Sequence, residues 1–121
     1  MILTSYFANY RVFPENRDAV SISRFPPRGF KGKQELRLAP SAKLLQDYKA
    51  GAVNEEQYTE RYNKETLSTL DPREIAILHK NSIFLCYEKA GDFCHRQLVA
   101  TWLRKAGFDI EELRKNWYST V

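Results

Sequence analysis

The sequence is poor in sulfur, with one methionine and two cysteines, Cys86 and Cys94, among 121 residues. Two cysteines cannot form the bridged framework of a small secreted scaffold, and a chain of this length buries a core without one. No apolar run approaches the roughly 20 residues a membrane-spanning helix needs. Met1 leads straight into an apolar, strand-like run with no basic n-region, so a secretory leader is not expected. Together these shortages point to a cytoplasmic, reducing compartment, free thiols and no membrane partner; the spacing alone leaves a Cys86–Cys94 disulfide open. Several catalytic signatures are also missing. The chain has no Walker-type loop, no G-x-G-x-x-G and no G-x-S-x-G, which removes the usual motifs of nucleotide hydrolases, dinucleotide-binding enzymes and esterases.

What remains is an ordinary globular composition, 43% hydrophobic and 28% charged, with aromatics at 13%, in a length that suits one domain over residues 1–121. The net charge of +4 attracts anions but is too mild for a nucleic-acid signature. The densest basic stretch is a Pro/Gly loop carrying Arg24, Arg28, Lys31, Lys33 and Arg37 against one acid, Glu35.

Residues 2–8 and 19–24 read as strands and 82–88 as a central strand, apolar on both faces. Ser41 is placed to cap a helix carrying Leu44, Leu45 and Tyr48. Asn54 and Gln57 form a capping box, and Asp71-Pro72 opens a short helix with Ile75, Ile77 and Leu78 as its apolar positions. Residues 94–106 form an amphipathic helix ended by Gly107. Asp109 caps an expected last helix bearing Leu113 and Trp117. Strands alternating with helices predict an α/β fold, a small, mostly parallel sheet flanked by helices in a Rossmann-like three-layer arrangement.

In such sheets ligands bind beyond the carboxyl ends of the strands. Thr4, Ser5 and Tyr6 reach that edge from the first strand, Arg24 from the second, and Glu88 and Lys89 from the third. The segment Cys86 to Arg96 then runs from a buried strand through a Gly-containing turn into a helix that opens with Cys94-His95-Arg96. A helix start favours anions and Arg96 adds a bidentate donor, so Ser5, Tyr6, Arg24, Lys89 and Arg96 are candidate ligand-binding residues. The same setting favours a thiolate at Cys94 as nucleophile. His95 is the candidate general acid or base, and Glu88 a second acid–base group or the group that orients His95. Cys86, Cys94 and His95, with His79 or Glu88, are metal-ligand types. However, C-x7-C-H is not a zinc-finger spacing and consecutive residues on a helix point in different directions, so no metal is assigned.

Ser5-Tyr6-Phe7-Ala8-Asn9, Ser21-Ile22-Ser23-Arg24 with the Pro/Gly loop, Leu38-Ala39-Pro40, and Leu85-Cys86-Tyr87-Glu88-Lys89 with Phe93-Cys94-His95-Arg96 carry a resemblance to the bacterial and phage family named domain of unknown function 488. It implies an α/β domain with Glu88, Lys89, Cys94, His95 and Arg96 as site positions, and supplies no reaction or cofactor. Three functions follow as expectations: a site for a phosphate-bearing small molecule such as a nucleotide or modified base, a nucleic-acid module using the 24–37 loop, or a protein-interaction module without catalysis.

Overall fold

The computed structural model describes residues 1–12, 17–88 and 92–113. Among these residues five strands form one sheet: β1 (Ile2–Tyr6), β2 (Asp18–Ser21), β3 (Lys33–Gln34), β4 (Ser82–Cys86) and β5 (Ile110–Glu112), in the order β3-β2-β4-β1-β5. Every pairing is parallel. The apolar run Ile83-Phe84-Leu85 lies at the centre, with Leu85 opposite both Ser5 of β1 and Ser21 of β2. A strand buried on both faces needs no alternation of apolar and polar residues, which explains why this one was so plain in the sequence.

Among the described residues four helices form, α1 (Ala42–Lys49), α2 (Glu55–Glu65), α3 (Pro72–Leu78) and α4 (His95–Lys105), and the first three start at their expected caps. The Ser41 hydroxyl accepts from the Leu44 amide, Asn54 and Gln57 complete a reciprocal box, and the Asp71 carboxylate accepts from the Arg73 amide. Gly107, at φ +93°, closes α4 in a conformation that residues with a Cβ rarely adopt. All four helices bury side chains in one core with Val20, Phe84 and Ile110 of the sheet. On the other face Leu3, Ile83, Leu85 and Leu113 pack with Phe7 and Phe30, completing the three-layer α/β arrangement. Gly32 is needed on that side, because a Cβ there would lie 2.5 Å from the Ala19 carbonyl oxygen.

Three expectations are corrected. Asp109 caps no helix: Ile110–Glu112 form strand β5, with Thr4 opposite Glu112; Trp117 lies outside the described residues. The 24–37 loop is not wholly irregular, since it holds β3 and runs into a single 3-10 turn at Leu36–Leu38. In α3 the core takes Ile75 and Ala76, while Ile77 and Leu78 stand 64% and 61% exposed.

The strap from Glu35 to Pro40 is held by a buried polar lock. Glu35 accepts from Arg37 Nη2 at 2.7 Å and from His79 Nε2 at 2.8 Å, and the Tyr62 hydroxyl donates to the Leu38 carbonyl at 2.6 Å. The Arg37 hydrogen bond dominates, and it holds the Glu35 carboxyl down to about 2 against the opposing effect of burial. The carboxyl is depressed in the folded state, so its stabilisation is present above pH 4.5 and is lost as pH falls toward 2. Glu35→Gln is expected to cost ~2 kcal/mol at pH 7 in urea denaturation, with the difference from wild type narrowing at pH 3.

Candidate functional site

A cleft of about 380 Å³ opens beyond the carboxyl ends of β2 and β4. Neighbouring strands deliver its two sides. The chain leaving β2 supplies Ser23, Arg24 and Phe25, and the chain leaving β4 supplies Tyr87, Glu88, Phe93, Cys94 and His95. Helices α1 and α2 close it with Leu45, Tyr48, Lys49 and Tyr58. The apolar stripe of α1 is therefore shared, with Leu44 in the core and Leu45 and Tyr48 facing the cleft.

One wall is aromatic. The rings of Tyr48, Tyr58 and Phe93 lie 5.2 to 5.7 Å apart, centroid to centroid. Burial, and after it the charge of Glu88, pushes the Tyr58 phenol well above its usual range, so it stays a neutral hydroxyl. At the rim the Tyr87 hydroxyl donates to the Phe25 carbonyl and ties the two sides together. Arg24 is half-buried and braced through Nε on the Pro40 carbonyl at 2.8 Å. Its two terminal nitrogens bond no other described residue.

At the inner end His95 is buried, and its Nε2 lies 2.7 Å from the Ile22 carbonyl oxygen. A carbonyl only accepts, so Nε2 carries the proton and Nδ1 keeps its lone pair, 3.9 Å from Cys94 Sγ. Burial drives the imidazole down to about 4, with the Arg96 charge adding to the effect and the Ile22 bond opposing it. His95 is thus neutral at neutral pH. The Ile22 carbonyl orients the ring; Glu88, exposed on the cleft, forms no hydrogen bond with His95.

The cysteines depart from expectation. Cys86 and Cys94 are not free thiols: their sulfurs are joined. Spacing alone missed this because the pair is formed by tertiary folding, the end of β4 meeting the residue that precedes α4. Cys94 is the N-cap of α4 in an extended conformation, φ −156° and ψ 147°. For that reason it and His95 reach the same cleft, which a continuous helical register would not allow.

Arg96 does not line the cleft. It is 1% exposed and forms a bidentate pair with Glu112 at 3.0 and 2.9 Å. Its Nη1 donates to Cys86 Sγ at 2.8 Å and to the Glu88 carbonyl, and its guanidinium lies 5.9 Å from the Tyr6 ring centre. Ser5 and Tyr6 are buried beneath this network and do not line the cleft either. Lys89 lies outside the described residues. The structure therefore brings together Arg24, Glu88, Cys94 and His95 of the expected site, and adds Tyr48, Tyr58 and Phe93.

Removing Glu112 leaves a buried guanidinium without its counter-charge. Glu112→Ala is expected to cost ~3 kcal/mol in chemical denaturation, and the double replacement Arg96→Met with Glu112→Leu to recover most of it.

Residues 6–107 match the model of a protein family, DUF488-N3a, described as the active DUF488-N3 subclade. Comparison with curated proteins found no match, and comparison with solved structures found none.

Proposed function

The chain belongs to the active DUF488-N3 subclade, and on that premise we propose that its cleft binds a small molecule carrying a phosphate and a flat ring, such as a nucleotide or a modified base. The observation that carries this reading is the pairing of an aromatic wall with a braced cation in one cleft. Tyr48, Tyr58 and Phe93 offer ring faces and edges to a base. Arg24, with Lys49 beside the same cleft, supplies charge for the phosphate. The volume lies in the range of small-molecule sites, and the position is the one that open parallel sheets favour. In this reading Cys94 and His95 face the ligand at the inner end, and Glu88 is the acid–base group on the lining.

The nucleic-acid alternative has less support. Of the basic residues in the 24–37 stretch, Lys33 is paired with Asp18, and Arg37 with Glu35 and Glu74. Arg28 and Lys31 are the exposed cations of that stretch that form no ion pair with a described residue.

Calorimetric titration of the oxidised chain with nucleoside monophosphates, the parent nucleosides and inorganic phosphate tests the reading. Monophosphates are expected to bind best, and Arg24→Ala to weaken them about tenfold or more, the worth of one charge-assisted contact. Equal binding of nucleoside and monophosphate removes the role of Arg24. If only oligonucleotides bind, with a steep dependence on salt, the nucleic-acid module takes its place.

A further inference from the structure

Three donor atoms of metal-binding type meet at the inner end of the cleft. Cys86 Sγ, Cys94 Sγ and a ring nitrogen of His95 all lie within 4.8 Å of one another, and all three residues are buried. The His95 ring is held as metal-ligating histidines are held: one nitrogen donates to a backbone carbonyl, and the other is left with its lone pair toward the sulfurs. Cys86 Sγ accepts from Arg96, and Glu112 offsets the arginine's charge. The Cα atoms of the two cysteines are 7.6 Å apart, wider than the roughly 4.4–6.8 Å that disulfides usually span. That separation suits two sulfurs sharing an ion between them.

We propose that, once reduced, Cys86, Cys94 and His95 bind one divalent cation of the zinc type, leaving its fourth position open to the cleft. Two thiolates and an imidazole are a donor set that selects zinc over harder cations. Cys94 and His95 line the cleft and Cys86 lies behind them, so the open position is the one a water or a ligand group reaches. Three protein ligands with an exchangeable fourth is the arrangement of catalytic rather than structural zinc. A dithiol reductant supplies the two electrons and two protons that split the S–S bond, and is itself left as a disulfide. The incoming cation then displaces both thiol protons. Oxidised and metal-bound states exclude each other, since both use the same sulfur lone pairs.

The test uses the full chain, reduced with a dithiol and desalted without oxygen, and titrated with Co2+ and then Zn2+ in the absence of any phosphate compound. One equivalent of Co2+ is expected to give thiolate charge-transfer absorption with the visible bands of a tetrahedral site, and one equivalent of Zn2+ to bleach them. Zn2+ is also expected to protect both cysteines from an alkylating probe, a readout that needs no variant. Cys94→Ser should cut the charge-transfer absorption to that of one thiolate or less, and His95→Gln should keep it while weakening affinity about tenfold or more. Thiols that stay open to alkylation with Zn2+ present, or a Co2+ spectrum without thiolate bands, overturn the proposal. Nucleotide binding is measured separately on the oxidised, metal-free chain, so failure of one reading is distinguishable from failure of the other.

Discussion

The buried guanidinium of Arg96 is the interaction on which the rest of the site depends. An arginine that is 1% exposed must have its donors met, because a buried charge without partners is far costlier than a buried methylene. Its partners come from separate parts of the chain: Cys86 at the end of β4, the Glu88 carbonyl just beyond it, and Glu112 on β5. Satisfying one side chain therefore sets the distance between the central strand, the start of α4 and the sheet edge. Glu112 also accepts from the Thr4 hydroxyl at 2.5 Å, which carries the restraint into β1.

A second restraint acts from the opposite side. The strap from Glu35 to Pro40 is fastened to α3 through His79 and to α2 through Tyr62. Its last carbonyl braces Arg24. The cleft thus lies between two polar frameworks, one under its floor and one along its rim, and its aromatic wall fills the space between them.

Much of this was legible in the sequence for identifiable reasons. Ser41, Asn54 with Gln57, and Asp71-Pro72 announce helix starts because their side chains meet backbone groups only a few residues away. The run Ile83-Phe84-Leu85 marks a strand buried on both sides. Strand β5 was hidden because Ile110-Glu111-Glu112 has no strand pattern of its own; its pairing with β1 makes it one. Tyr48 and Tyr58 were hidden in another way, since a helix side chain facing a cleft repeats with the same period as one facing a core. The meeting of Cys86 with Cys94 and the turning of Arg96 onto Glu112 are tertiary events that no local spacing encodes.

The brace on Arg24 has a consequence for any partner it meets. An unrestrained arginine gives up considerable rotational freedom when it closes on a ligand, and that loss subtracts from affinity. Held through Nε by the Pro40 carbonyl, this side chain has surrendered part of that freedom during folding. That part of the cost has been moved to the making of the fold, so an anion bound as proposed would meet a donor already in position.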